Sequence, residues 1–99
     1  MANYFFTNKA VEDLSKIWDY TFEIWSETQA DRYYTMLIDT CQELADDKLS
    51  GKKYLEVEKD ILGFKVGQHI IFYKKLKSKK IEIARILHSR MDLRSRIGE

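Results

Sequence analysis

The stretch Ile61-Leu62-Gly63-Phe64-Lys65-Val66-Gly67-Gln68-His69-Ile70-Ile71-Phe72-Tyr73-Lys74-Lys75 decides the fold. Two runs rich in β-branched and aromatic residues, 61–66 and 69–75, meet at Val66-Gly67-Gln68, a tight hairpin turn. A third run, Ile81 to Leu87, follows the basic connection Leu76-Lys77-Ser78-Lys79-Lys80. Together they predict a three-stranded antiparallel meander. Upstream, Asp46 to Asp60 is polar and contains Gly51. It reads as a loop with some extended structure near Tyr54-Leu55-Glu56-Val57.

The first half of the chain carries a different period. Val11, Leu14, Trp18, Phe22 and Trp25 recur at spacings of three and four, which makes one stripe of an amphipathic helix from Lys9 to Trp25. Asp13, Lys16, Asp19 and Glu23 fall on the wet side in that phase. Ser26-Glu27-Thr28-Gln29 is a capping-box start for a second helix, from Glu27 to Ala45. Its stripe is Ala30, Tyr34, Leu37, Cys41 and Leu44, widened by Tyr33, Ile38 and Ala45. Trp18 and Leu37 are expected in the core. Tyr4-Phe5-Phe6 suits a short strand, with Thr7 or Asn8 capping the first helix. The expected architecture is α+β and single-domain, over residues 1–99. It comprises an N-terminal strand, an antiparallel helical hairpin and the meander (β-α-α-β-β-β), with the helices on one sheet face.

That arrangement poses a packing problem. In the middle strand Ile71 and Tyr73 oppose Ile70 and Phe72. In the last strand Ile81, Ile83 and Leu87 oppose Ala84 and Ile86. A strand apolar on both faces needs cover on both faces. Two helices supply one, so the face carrying Ile70, Phe72, Ala84 and Ile86 is expected to be covered by a partner. The other candidate cover is the loop 46–60 with the C-terminal tail.

Charge divides along the chain. Residues 1–47 hold ten acids against three bases, and residues 48–99 hold fourteen bases against six acids. A net charge of +1 therefore conceals a dipole suited to a polyanion or an acidic partner. Ninety-nine residues, 44% of them apolar, suffice for one small core. No run of about 18 apolar residues suggests a membrane span. The start lacks the pattern of a signal peptide, and a single cysteine fits a reducing compartment, so a cytoplasmic protein is expected. Cys41, within an apolar stripe, reads as a core residue.

Little in the chain suggests catalysis. His69 and His88 lie on different strands with no metal-ligand spacing around them, and no metal or cofactor is called for. Phosphate loop, nucleophile elbow and paired general acid and base are all missing from the pattern. What stands out is a cationic set on and after the strands: Lys65, His69, Lys74, Arg85, His88, Arg90, Arg94 and Arg96. Strands about 4.8 Å apart can gather these onto one surface. Such a surface suits phosphate contact or an acidic segment. Base-specific readout is not indicated, and direct nucleic-acid contact stays open.

Four segments, in order, resemble the ParE toxins of type II toxin–antitoxin systems, within the RelE/ParE superfamily. They are Ala10-Val11-Glu12-Asp13-Leu14 with Ile17-Trp18-Asp19-Tyr20, then Trp25 to Tyr33, then Val66 to Tyr73, then Ile83 to Asp92. The resemblance implies the same β-α-α-β-β-β fold. It also implies a ParD-like antitoxin that forms a hetero-oligomer with the toxin and lays a disordered segment across it; from the strand faces, its anchors are expected on Ile70, Phe72, Ala84 and Ile86, or on the opposite set if the register shifts by one residue. For ParE-type members it implies inhibition of DNA gyrase; Arg85, His88, Arg90 and Arg94 are expected to form the target-binding surface, because they sit on and just after the last strand. Those charges, read as exposed, are expected to be removable without loss of the fold. RelE-type members instead cut messenger RNA on the ribosome. In that alternative Lys65, His69, Arg85 and His88 would be catalytic. Ribonuclease members carry arginines where this chain has Lys65 and His69, and no tyrosine follows Tyr73, so the residues lean toward ParE.

Overall fold

The computed structural model describes residues 3–55 and 57–90. Strand β1 (Tyr4–Phe6) leads into helix α1 (Asn8–Ile24) and helix α2 (Glu27–Ala45). A two-residue strand β2 (Lys52–Lys53) precedes β3 (Leu62–Val66), β4 (His69–Lys75) and β5 (Ile81–His88). The last three form the expected meander. The sheet has five strands in the order β1-β5-β4-β3-β2, with β1 parallel to β5 and the other pairings antiparallel. Extended structure in the 46–60 segment falls at Lys52–Lys53 rather than near Tyr54–Val57, where the chain turns instead. Backbone bonds from Val57 and Glu58 N–H to Tyr54 O hold that turn, so Tyr54 ends the strand.

Local chemistry accounts for the helix ends. Thr7 Oγ1 accepts the Ala10 N–H at 3.1 Å, and Ser26 Oγ accepts the Gln29 N–H at 3.1 Å. At the β3–β4 turn Gly67 has φ +58, which suits a two-residue hairpin and an L side chain poorly. A Cβ at Gly67 would also lie 2.7 Å from the Tyr33 hydroxyl.

The core between helices and sheet uses Leu14, Leu37, Cys41, Ile71, Tyr73 and Ile83. On α1 the buried set is Ala10, Asp13, Leu14, Ile17 and Thr21. The inward face is thus rotated by about one residue from the expected stripe. Val11, Phe22 and Trp25 are exposed, Trp25 to 72%, and Trp18, expected in the core, is only half-buried, with its indole N–H donating to Asp31. Asp13, expected in water, is buried. Aromatic bulk set the expected phase. The smaller Ala10 and Thr21 lie on the real inward face, where both are buried.

The far sheet face is not bare. Ile61, Ile70, Phe72 and Leu87 form a second buried cluster, with Tyr54, Val57 and Ala84 packed on it. The expectation that a partner must cover this face is therefore corrected, because Tyr54, Val57 and Ile61 of the chain itself pack on it. Ile70, Phe72 and Ile86 are buried within the chain, and Ala84 is half-buried. Ile86 also lies on the helix side, apart from Ala84. The cause is a β-bulge. Phe72 pairs with Arg85 and Tyr73 with Ile83, which leaves Ala84 as the extra residue and reverses the side-chain alternation after it.

Polar groups disturbed by the bulge find partners outside the sheet. The Thr7 hydroxyl donates to Ala84 O at 2.8 Å, and the Ile86 N–H donates to Asp13 Oδ2 at 3.0 Å. The bulge and the N-terminal part of α1 therefore form one hydrogen-bonded unit.

Candidate functional site

The cationic residues gathered by the sequence separate into distinct environments. Arg85 faces Asp13 in a two-pronged ion pair, Nε to Oδ2 at 2.8 Å and Nη2 to Oδ1 at 3.1 Å. Both side chains are largely shielded, at 12% and 8% exposure. Arg85 is thus part of the fold, and the view of its charge as freely removable is corrected. Its guanidinium fork matches the carboxylate, and that carboxylate also satisfies the bulge.

His69 and His88 occupy facing positions on β4 and β5, with ring centroids 5.4 Å apart. The sheet brings them together although the sequence separates them by nineteen residues. Tyr33, reaching from α2, completes the group. Its hydroxyl accepts the Gln68 N–H at 3.0 Å and lies 2.7 Å from His69 Nδ1. The tyrosine proton is then directed at Nδ1, which assigns the remaining proton of neutral His69 to Nε2. The Arg90 N–H points at His88 Nδ1 at 3.1 Å. Burial, then the charge of His88, push the His69 pKa down to about 4, with Asp13 acting weakly in the opposite direction. Tyr33 is pushed above its ordinary value by burial, against the lowering bond from Gln68. His69 is therefore a neutral, tyrosine-held imidazole at physiological pH.

A pH dependence follows. Unfolded histidine titrates near 6.5 and folded His69 near 4, so between these values the unfolded chain binds more protons. Stability contributed by neutral His69 is complete above pH 6.5 and is lost as pH falls toward 4. The expected loss at pH 5 is on the order of 1 kcal/mol, since partial solvation of the ring damps the full effect. Urea unfolding of the wild type and of His69→Gln at pH 7 and pH 5 checks this. An equal loss in both proteins would remove His69 as the cause.

Lys65 is exposed beside this group, on β3 opposite Ile70. His88 is half-buried and Arg90 exposed. Arg94 and Arg96 lie outside the described residues. Lys65, His69, His88 and Arg90 thus lie near one end of the sheet, joined there by two residues that sequence reasoning missed, Tyr33 and Asp13. Tyr33 reads in the sequence as part of the core stripe. Asp13 offers one signal, since it shares a helical phase with Ala10, Leu14 and Ile17. Lys74 belongs to the other end of the meander, where it pairs with Glu58. Cys41, with burial pushing its thiol pKa to about 12, is a packed core residue. Among the described residues no group of three His, Cys, Asp or Glu is placed to hold a metal. No described helix is long and apolar enough to cross a membrane.

Comparison with known proteins gives a consistent result. Residues 4–93 match the family model for the ParE toxin of the type II toxin–antitoxin system parDE. Toxin ParE1 of Mycobacterium tuberculosis, from strains CDC 1551 and H37Rv, is 28% identical over 92 residues, covering 93% of this chain and 94% of the relative. Among solved structures, the chromosomal ParDE toxin–antitoxin system from P. aeruginosa superposes with a TM-score of 0.73 at 21% identity. That match covers 89% of this chain and 96% of the other, and it establishes the shared fold.

Proposed function

Because the chain belongs to the ParE toxin family of type II toxin–antitoxin systems, we propose that it arrests growth in the cytoplasm by binding and inhibiting DNA gyrase, without catalysing a reaction itself. The observation that carries this reading is the condition of the residues a ribonuclease would need. Arg85 is held by Asp13, and His69 is kept neutral beside Tyr33, with a pKa too low to donate a proton at neutral pH. What is left near that end of the sheet is a rim of the cations Lys65 and Arg90 with the half-buried His88, suited to binding. His88, Arg90 and Arg94 form the proposed target-binding surface, and Arg85 supports it from within.

The antitoxin, in this reading, supplies apolar anchors to the exposed outer face of α1. Val11, Phe22 and Trp25 lie there at helical spacing, beside Trp18. Ile70, Phe72 and Ile86 become accessible to such a segment only if the packing around them opens. A partner that binds the folded toxin alone also raises its melting temperature by mass action.

Two assays on one preparation test the function. Purified protein is expected to inhibit gyrase supercoiling or trap cleaved DNA, and its expression to cause filamentation and a DNA-damage response. If ribosome-dependent messenger RNA cleavage occurs while gyrase is unaffected, the paired imidazoles of His69 and His88 become the active centre and the gyrase reading falls.

A further inference from the structure

We propose that the lysine-rich end of the sheet, opposite the His69–His88 end, is a binding surface for the phosphate backbone of duplex DNA. This extends the gyrase reading by supplying a contact to the DNA that gyrase holds, and it rests on that reading only for where the DNA is met. Two open grooves of about 400 and 420 Å³ share Lys75 and Leu76. Seven lysines line them, from β2, β4, the 76–80 turn and the segment before β3. Lys74 pairs with Glu58, and Lys75 with Asp47 at 3.3 Å. Lys53, Lys59, Lys77, Lys79 and Lys80 are exposed and make no ion pair among the described residues. Asp46 and Asp60 are the remaining acids lining the grooves, fewer than these five cations.

The turn itself points to a role for the charge. Hydrogen bonds from Leu76 N–H to Lys80 O at 2.8 Å, and from Lys79 N–H to Leu76 O at 3.3 Å, close it. Lys79 sits there at φ +64, a left-handed conformation that glycine or asparagine adopts with less strain. A connection built for stability alone would carry one of those residues. This one carries three lysines in four positions, 77–80.

The chemistry favours phosphate over an acidic peptide. All the cations are lysines, compact charges on flexible stems that contact phosphates one at a time. Among the described residues the grooves contain no aromatic ring that would stack a base or anchor a peptide, and Leu76, at 38% exposure, is the one large apolar side chain there that is substantially open. Lysines on the edge strand β2 also discourage a peptide from adding as a further strand. Binding is therefore expected to be insensitive to base sequence and steeply dependent on salt.

Fluorescence anisotropy of the full chain with a labelled duplex of about 20 base pairs tests this, from about 50 to 200 mM salt. The slope of log affinity against log salt is expected near −4 to −5, from about 0.9 per phosphate neutralised and up to five lysines engaged. Lys77→Gln/Lys79→Gln/Lys80→Gln should lower affinity at least tenfold and flatten the slope by about 2 to 3. Lys79→Gly, which relaxes the turn while removing one charge, should flatten it by about 1, and circular dichroism reports whether each variant is folded. Unchanged affinity and slope in a folded triple variant would overturn the proposal, as would a wild type that ignores DNA at low salt. Tighter binding of a Glu-rich peptide than of duplex at equal salt would also overturn it, by making the surface a protein site. Supercoiling inhibition separates the two ideas. If it persists without direct DNA binding, this proposal alone fails, whereas direct DNA binding without any effect on gyrase leaves the proposal standing and removes the gyrase reading.

Discussion

Replacing Arg85 by alanine is expected to destabilise the protein by about 3–5 kcal/mol, enough to unfold much of a marginally stable small domain. The reason is what remains. Asp13 is buried at 7% exposure, and without the guanidinium its carboxylate is left with the Ile86 N–H at 3.0 Å as its donor in the bulge. A buried charge deprived of its partner is far more costly than the pair is worth. The double variant Asp13→Asn/Arg85→Met is therefore expected to be more stable than Arg85→Ala alone. It removes both charges, and the amide oxygen of the introduced asparagine still accepts from the bulge. Urea titrations of the two proteins at pH 7 check the order. A folded Arg85→Ala protein within about 1 kcal/mol of wild type would show that the ion pair does not hold the bulge to α1. The result matters for function too, because loss of toxicity in an Arg85 variant would report on folding before it reported on target contact.

The same ion pair shows how far a sequence of this kind can be read. The meander was legible because Gly67 stands between two strand-like runs. The helices were legible because their apolar residues recur at spacings of three and four. Neither signal carries the phase of α1, since Ala10 and Thr21 give a weaker pattern than Trp18, Phe22 and Trp25 although they are the residues that are buried. Nor does period-two alternation reveal a bulge. One inserted residue at Ala84 sends Ile86 to the helix side, and its stabilising partners, Thr7 and Asp13, lie more than seventy residues away. The strand order had a similar limit. Tyr4–Phe6 reads as a strand, yet its parallel pairing beside β5 depends on where the helical hairpin returns the chain. At the candidate site, cationic residue types were visible, but which were engaged was not, because Asp13 and Tyr33 reach them from the other half of the chain.

Phe72→Ala is expected to cost about 3–5 kcal/mol, and a milder change at Tyr54 separates the two reasons why. Phe72 is fully buried at the centre of the far-face cluster, among Ile61, Ile70 and Leu87. Its deletion leaves a cavity bounded by hydrogen-bonded strands that have little freedom to collapse. Tyr54 instead forms the cover. Its ring meets Phe72 edge-on at 5.1 Å, while Lys52 Nζ lies 5.3 Å from its centroid. The ring passes so close to the backbone that a Cβ on Gly63 would lie 2.5 Å from Tyr54 Cε1. Tyr54→Ala should therefore leave the strands paired, reduce stability by a smaller amount, on the order of 1–3 kcal/mol, and expose Phe72 and Ile70 to solvent. An uncovered apolar face promotes self-association. Sedimentation velocity of Tyr54→Ala should show concentration-dependent association beyond that of the wild type, with β-structure retained by circular dichroism. If Tyr54→Ala sediments as the wild type does and loses no stability, the 54–57 turn is not the cover of this face. The apolar residues of β4 would then again need a partner to shield them.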